Sequence, residues 1–252
     1  MNDSLSLSRL LEQAFTQQTP IAALPADAVP AGADAAYDTQ HALLAALGER
    51  IGGWKVGART PDGPIQCAPL PARGVLFEAA SVARGARATL GLELEIAFRF
   101  GRVFEPRDEP YGDDEVHGAI ASMAATIEAV ASRFSAWPDV DRLAQLADLQ
   151  NHGALAAGGF VPYRDDFPFA APALSFEFDG RALFSGVPAN PAGDPRRLLT
   201  WLVNHATRAR RVSITTDQVI TTGTYIGLVS PDGAGTAVGH IDGLPPVRLS
   251  LA

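Results

Sequence analysis

The segment LGLELEIAFRF, residues 90–100, constrains the fold more than any other part of the chain because apolar side chains occupy every second position. In an extended strand alternate side chains share a face. One face then consists of Leu90, Leu92, Leu94, Ile96, Phe98 and Phe100. Glu93 and Glu95 lie on the opposite face, with Cα atoms about 7 Å apart. This pattern fits either a half-buried strand with a solvated face or two carboxylates that converge on one hard divalent cation.

Composition limits the classes of function. The 252 residues suffice for a large core, and a formal net charge of -8 argues against binding to a phosphate backbone. No apolar stretch is long enough to span a membrane, and the first residues do not resemble a secretory signal, so we expect a cytoplasmic protein. Cys67 is the only cysteine, which excludes an intrachain disulfide and a metal site built from several thiolates.

The first fifty residues predict helices. Residues 4–17 and 33–50 both carry apolar side chains at helical spacing, and a connector rich in proline and alanine separates them. We therefore expect a helical N-terminal cap over residues 1–50 and a β-rich catalytic region over residues 51–252, which together form one structural unit.

The remaining residues predict mostly short strands and tight turns. Asp179 and Gly180 separate two β-rich runs and indicate a type I′ hairpin. The segment beginning at Asp113 is expected to start as a helix and to become a strand near Ala125. A further helix is expected from Pro195, with Asp194 as its N-cap. The predicted fold class is α+β, with a mostly antiparallel sheet system and few helices.

Two charged residues in apolar surroundings are candidates for chemistry. Glu128, in the segment TIEAVA, would be costly to bury without a partner, so it is either a third metal ligand or an ion-pair partner of Arg133. Lys55 stands alone in GGWKVGA and suits proton transfer or anion binding, with a surface lysine as the alternative. The hydroxyls of TTGT, residues 221–224, can grip a carboxylate or belong to an ordinary turn. His152 is a candidate substrate contact, with structural packing as the alternative.

Six short motifs occur in an order and spacing that resembles a known family. They are GWKVG, GVLFE, LELEIAF, IEAVASRF, NHGALAAG and ITTGT. The chain resembles the 2-keto-4-pentenoate hydratase/4-oxalocrotonate decarboxylase branch of the fumarylacetoacetate hydrolase superfamily over nearly its whole length. The resemblance implies a mixed β-sandwich roll, like the C-terminal domain of fumarylacetoacetate hydrolase, with a helical N-terminal region.

The resemblance also implies a ligand set and an active site. Glu93, Glu95 and Glu128 match the residues that bind Mg²⁺ or Mn²⁺ in the family. Lys55 matches its active-site lysine, and Thr222 matches the hydroxyl residue near the carboxylate of the substrate.

The chain departs from the family before GVLFE. Family hydratases usually have Pro-Asp-aromatic-Gly there, and the aspartate handles protons, whereas this chain has Pro71-Ala72-Arg73-Gly74. Glu78 is a candidate replacement for the missing carboxylate. Arg73 is a candidate partner for a second carboxylate of the substrate, and a solvent-facing turn is the slightly favoured alternative.

The implied reaction is the addition of water to 2-hydroxypenta-2,4-dienoate-like 2-oxo acids, assisted by a metal that stabilises an enolate. A 2-oxo-3-enedioate decarboxylase is the first alternative, followed by an acylpyruvate hydrolase and by an inactive paralogue that serves as a scaffold. The resemblance implies a homo-oligomer, and the last alternative implies a complex with a paralogue. Neither a nucleic acid nor a membrane is expected as a partner.

Overall fold

The computed structural model describes residues 6–77, 80–83 and 90–252, which form an α+β structure with few helices. The helices are α1 (Leu7–Gln17), α2 (Ala33–Ala46), α3 (Asp113–His117), α4 (Arg142–Ala147) and α5 (Arg197–Asn204). The helices predicted on both sides of the connector are therefore present as α1 and α2. No helix in the described ranges is both long and apolar enough to cross a membrane.

The strands form two sheets. In chain order they are β1 (Ile51–Gly57), β2 (Gln66–Pro71), β3 (Val75–Phe77), β4 (Ser81–Val82), β5 (Leu90–Phe100), β6 (Ile120–Ala131), β7 (His152–Ala157), β8 (Val161–Pro162), β9 (Leu174–Phe178), β10 (Arg181–Ala182), β11 (Val219–Thr224), β12 (Gly235–Ile241) and β13 (Val247–Leu251). The larger sheet has the order β2-β1-β11-β5-β6-β7-β3, with β8 paired to β6, and the smaller sheet has the order β10-β9-β12-β13-β4. The pairs β1–β11, β3–β7 and β4–β13 are parallel and the others are antiparallel. The mixed β-sandwich roll implied by the resemblance is confirmed.

The larger sheet is curled. Its two edge strands, β2 and β3, are separated by only the short turn Ala72–Gly74, although five strands lie between them in the sheet. A chain of this length spans little more than 10 Å, so the two edges must approach each other. Five buried side chains from five of its strands accordingly pack together inside the curl: Leu70, Val75, Ala97, Leu155 and Val219.

The smaller sheet covers the outer, apolar face of β5. Leu94 is fully buried, and a Cβ atom on Gly239 of β12 would lie 2.4 Å from its Cδ1 atom. Only glycine permits this close approach between the two sheets. The face of β5 that carries Glu93 and Glu95 is therefore directed into the curl of the larger sheet.

The hairpin predicted at Asp179-Gly180 is confirmed. Both residues have positive φ values, 49° and 76°, as a type I′ turn requires. Arg181 of β10 pairs with Phe178 of β9 on either side of the turn.

The expected strand start near Ala125 is wrong, since α3 ends at His117 and β6 already begins at Ile120. Antiparallel pairing with β5 along nearly all of β6 overrides the helical preference of its alanines.

The expected start of α5 at Pro195 is also wrong, since the helix begins at Arg197. The Asp194 carboxylate instead accepts a bond of 3.0 Å from the backbone N–H of Arg196 and also pairs with its guanidinium, so it organises the turn before the helix. After Asn204 the chain continues into a π-helical turn, His205–Ala209.

Strand β2 was not predicted from the sequence. This strand contains Pro69 and Pro71, which weaken a sequence-based strand prediction. Because β2 lies at the edge of the larger sheet, its prolines are tolerated there.

Candidate metal centre and active site

Three carboxylates meet inside the curled sheet. In the antiparallel pair of β5 and β6, Glu93 lies directly opposite Glu128, and Glu95 lies opposite Thr126. Directly opposed residues share a face, so all three glutamates point into the curl. One oxygen atom from each of Glu93, Glu95 and Glu128 lies within 4.8 Å of the others. Glu95 and Glu128 are buried, whereas Glu93 is partly exposed.

Lys55 and His152 share one oxygen of Glu128. The Lys55 Nζ atom donates to Glu128 Oε1 at 2.7 Å, and the His152 Nδ1 atom lies 3.0 Å from the same oxygen. The expected alternative partner of Glu128, Arg133, pairs with Asp148 instead. The other oxygen, Glu128 Oε2, is buried and has no hydrogen-bond partner among the described residues. An unpaired buried carboxylate oxygen is costly, and a bound cation would satisfy it.

Glu95 is oriented by the end of β11. Its Oε2 atom accepts hydrogen bonds from the Thr221 hydroxyl and, at 2.7 Å, from the backbone N–H of Gly223. The Thr222 hydroxyl points elsewhere and donates to the carbonyl of Ile96 at 2.9 Å. Within the TTGT segment it is therefore Thr221 that reaches the carboxylate cluster.

The surroundings of the two glutamates of β5 disfavour their ionised form. Burial, reinforced by the neighbouring Glu128 carboxylate, raises the pKa of Glu93 to about 7 and that of Glu95 to about 8. Burial alone would also raise the pKa of Glu128, but the Lys55 ammonium and the His152 ring outweigh it and lower that pKa. Glu128 is thus the ionised member of the cluster even without a cation.

Lys55 is charged and His152 is neutral beside Glu128. Burial opposes the charge of Lys55, but Glu128, Glu93 and Glu95 outweigh it and raise its pKa, so its ammonium persists at neutral pH. Burial lowers the pKa of His152, so its ring is neutral. The bond to a carboxylate places the proton of the neutral ring on Nδ1 and leaves Nε2 as an acceptor.

His152 lies against the segment that departs from the family pattern. A Cβ atom on Gly74 would be only 3.1 Å from His152 Nε2, so the absence of a side chain at Gly74 leaves room for the ring. His152 Nε2 is buried and has no partner among the described residues.

Arg73 is exposed and pairs with Glu49, outside this cluster of charges. Its side chain is 54% exposed, and its Nε atom lies 3.3 Å from Glu49 Oε1. The solvent-facing orientation slightly favoured from the sequence is the one observed. Glu78, the candidate replacement for the missing aspartate, lies outside the described residues.

This donor set suits one class of ligand. Carboxylate oxygens are the preferred ligands of hard divalent cations such as Mg²⁺. Three of them, one with an oxygen that no described residue pairs, fit an ion that keeps open positions for a chelating substrate. The only cysteine, Cys67, is buried, and burial raises the pKa of its thiol, which disfavours a thiolate nucleophile.

Comparison with known proteins agrees with this geometry. A 2-keto-4-pentenoate hydratase from Burkholderia vietnamiensis is 29% identical over an aligned region of 261 positions, which spans 99% of this chain and 98% of that protein. The 4-oxalocrotonate decarboxylase from Pseudomonas putida G7, complexed with magnesium and adipate, matches 100% of both chains with a TM-score of 0.82 and 19% identity. The fumarylpyruvate hydrolase from Pseudomonas aeruginosa, in complex with Mn²⁺ and pyruvate, matches 79% of this chain and 88% of its own with a TM-score of 0.55 and 15% identity.

No family model matches the chain. The resemblance predicted from the six motifs is nevertheless confirmed by a relative that is similar over the full length. The two solved structures show that the chain has the fold of fumarylacetoacetate hydrolase superfamily enzymes.

Proposed function

We propose that the chain is a divalent-metal-dependent hydratase that adds water to 2-hydroxypenta-2,4-dienoate or a similar 2-oxo acid, yielding 4-hydroxy-2-oxopentanoate in the first case. The observation that carries the proposal is the convergence of Glu93, Glu95 and Glu128 within 4.8 Å, beside the ammonium of Lys55. The full-length similarity to a 2-keto-4-pentenoate hydratase supports this choice of reaction.

Glu93, Glu95 and Glu128 would hold Mg²⁺ or Mn²⁺. When bound, such an ion supplies a Lewis acid that polarises the ketone and carboxylate oxygens of a 2-oxo acid. The Thr221 hydroxyl and the Gly223 N–H keep Glu95 oriented toward this position by occupying its Oε2 atom.

Lys55 is the proposed acid–base residue. Its ammonium is fixed between Glu128 Oε1 and the carbonyl of Gln150, at 2.7 and 3.2 Å, and it carries a proton at neutral pH. A positioned proton donor of this kind contributes about 100- to 10,000-fold to a rate. From the same position it can instead hold the carboxylate of the substrate.

His152 is the proposed contact for the reacting part of the substrate or for the attacking water. Its Nε2 atom, which has no partner in the part of the chain that the structure describes, is an acceptor next to the 72–74 turn, where the family has an aspartate. The hydroxyl of Thr222, expected near the substrate carboxylate, is bonded to Ile96, and that of Thr221 is bonded to Glu95, so we propose that this segment acts by orienting Glu95.

The test of this function is product analysis. Purified protein is incubated with 2-hydroxypenta-2,4-dienoate and Mg²⁺, and 4-hydroxy-2-oxopentanoate is followed by NMR, with a chelator as control. Formation of that product only when metal is present supports the hydratase. No turnover in a panel that also contains a 2-oxo-3-enedioate and an acylpyruvate would favour an inactive paralogue.

The decarboxylase alternative makes a different prediction for Arg73. A guanidinium that pairs a second carboxylate would favour the diacid by about 10- to 150-fold, which corresponds to 1.5–3 kcal/mol. Because Arg73 is exposed and paired with Glu49, we expect no such preference and a silent Arg73→Ala variant. A preference for 2-oxohex-3-enedioate that disappears in Arg73→Ala would overturn the hydratase assignment in favour of the decarboxylase.

Three further features are part of the proposal. We expect a cytoplasmic protein. We also expect a homo-oligomer, and light scattering on the purified protein would test the oligomeric state. We also treat residues 1–50 as a helical cap on a catalytic region, residues 51–252. The packing of Phe15 in α1 over the Arg133 guanidinium, with 4.3 Å between guanidinium carbon and ring centroid, supports one structural unit.

A further inference from the structure

The turn that precedes β7 has an unusual backbone. Leu149, Gln150 and Asn151 have φ values of 50°, 52° and 59°, so three consecutive residues other than glycine are left-handed. Each such residue costs roughly 1–2 kcal/mol. Backbone strain of this kind persists only where the surroundings hold it, and it is concentrated at functional sites.

The left-handed turn touches one partner of Glu128 Oε1 and leads directly into the other. The Gln150 carbonyl accepts a hydrogen bond of 3.2 Å from Lys55 Nζ, which in turn donates to Glu128. His152, the residue directly after the turn, makes the second contact to the same oxygen. The path of the turn therefore determines where the ammonium and the imidazole lie.

One buried guanidinium holds both ends of this turn. Arg133 pairs with the Asp148 carboxylate through Nε and donates to the Asp148 carbonyl at 2.6 Å. It also donates to the carbonyl of His152 through its Nη1 atom. Its backbone N–H donates to the second Asp148 carboxylate oxygen at 2.9 Å, so Arg133 is fixed at the end of β6.

We propose that the left-handed turn 149–151, held at both ends by Arg133, is the positioning element that aligns Lys55 and His152 on Glu128 Oε1 and thereby presents Glu128 Oε2 to the cation. Arg133 and Gln150 are positioning residues, since neither contacts the reacting atoms. The inference rests on the proposed metal site, but it does not depend on the identity of the substrate.

Three variants of Gln150 separate the backbone conformation from the side chain. Gln150→Gly and Gln150→Asn both tolerate the left-handed conformation, whereas the β-branched Gln150→Val disfavours it. We expect Gln150→Val to lose about 10- to 100-fold in Mg²⁺ affinity, the usual effect of losing a partner of a metal ligand. The kcat of Gln150→Val should fall with little change in KM, and the other two variants should lose less in both kcat and Mg²⁺ affinity than Gln150→Val.

The readout that does not require a substrate is calorimetric titration with Mg²⁺, on variants whose folding is checked by circular dichroism. Wild-type Mg²⁺ affinity in folded Gln150→Val overturns the inference, as does an equal loss in Gln150→Gly and Gln150→Asn, which would assign the effect to the side chain.

Arg133→Lys provides a second test in case Gln150→Val does not fold. A lysine keeps the charge beside Asp148 but lacks the fork that reaches the carbonyls of both Asp148 and His152. We expect the same loss of Mg²⁺ affinity, with Arg248→Lys, an exposed position on β13, as the matched control. Unchanged Mg²⁺ affinity in Arg133→Lys overturns the inference. Absence of turnover in the wild type would count against the proposed function and leave this comparison of affinities intact.

Discussion

The two faces of β5 have opposite physical roles. The outer face packs against the smaller sheet, and four of its side chains are fully buried: Leu92, Leu94, Ile96 and Phe98. The inner face places Glu93 and Glu95 beside a third carboxylate inside the curl. One strand thus contributes apolar burial on one side, which stabilises the fold, and like charges on the other side, which do not.

A carboxylate on the surface shows what the inner face lacks. Glu115 lies between Arg102 and Arg107, at 2.5 and 2.7 Å, and the hydrogen bonds from these guanidinium groups lower its pKa to about 2. Glu95 is buried beside other carboxylates, and its pKa is raised to about 8. Glu115 is therefore satisfied by the chain itself, whereas the cluster is arranged for a positive charge that the chain supplies only in part, through Lys55.

The largest expected effect comes from removing a charge from the inner face. Glu95→Gln should abolish Mg²⁺-dependent turnover. It should lower Mg²⁺ affinity by more than the roughly 10- to 100-fold that is lost when a residue bonded to a metal ligand is replaced. The stability of the metal-free protein should be unchanged at acidic pH, where Glu95 is protonated in both the folded and the unfolded chain, and raised toward about pH 8 and above, because glutamine lacks the ionisable carboxylate. Calorimetric titration and thermal unfolding measure the two effects, and unchanged Mg²⁺ affinity would refute the assignment of this face.

A substitution on the outer face of β5 should lower stability and leave Mg²⁺ affinity unchanged. Leu94→Ala should lower the free energy of unfolding by about 2–5 kcal/mol, because it leaves a cavity between the two sheets. The Mg²⁺ affinity of the folded variant should stay at the wild-type value. Urea denaturation and titration at low temperature test this, and a loss of affinity without loss of stability would show that the two faces are not independent.

Lys55→Met removes the cation that pairs with Glu128. We expect kcat/KM to fall by about 100-fold or more, as for loss of an acid–base group. In saturating Mg²⁺ the stability should change little, because the ion supplies counter-charge for Glu128. Turnover at the wild-type rate would show that Lys55 is only an ion-pair partner of Glu128 and not an acid–base residue.

The smallest effect is a dependence of stability on pH. Glu93 and Glu95 have pKa values raised to about 7 and about 8, whereas an unfolded glutamate titrates near ~4.3. The folded protein without metal therefore binds more protons than the unfolded chain between these values. The stabilising contribution is complete at acidic pH and is lost as the pH rises through about 7 to about 8.

Melting temperatures measured from about pH 4 to above about pH 8, with a chelator and with saturating Mg²⁺, test whether stability falls as the pH rises. Mg²⁺ should suppress the decline because it replaces the protons, and Glu95→Gln should show a weaker decline than the wild type. A melting temperature that does not fall with pH in the chelated wild-type protein would contradict the predicted charge state of the inner face.

Local patterns in the sequence were sufficient for several features. Alternation with a period of two places Glu93 and Glu95 on one face whatever the rest of the chain does, because it depends only on strand geometry. The Asp179-Gly180 turn is equally local, since both residues tolerate the positive φ that the turn requires. The three candidate metal ligands were predicted from the family resemblance of the motifs, and their carboxylates are of the type that hard cations prefer.

The tertiary structure alone decided which groups meet. The register that sets Glu93 opposite Glu128 joins residues far apart in sequence, and a shift by one residue would have turned one of them away. The same alternation directs Thr221, rather than Thr222, to Glu95. The left-handed backbone at Gln150 could not be predicted, because no glycine marks it in the sequence. It is held by the contact between Arg133 and Asp148, which only the folded structure brings together. Side-chain identity determines what a residue can do, but sheet register and packing determine which other residues it reaches.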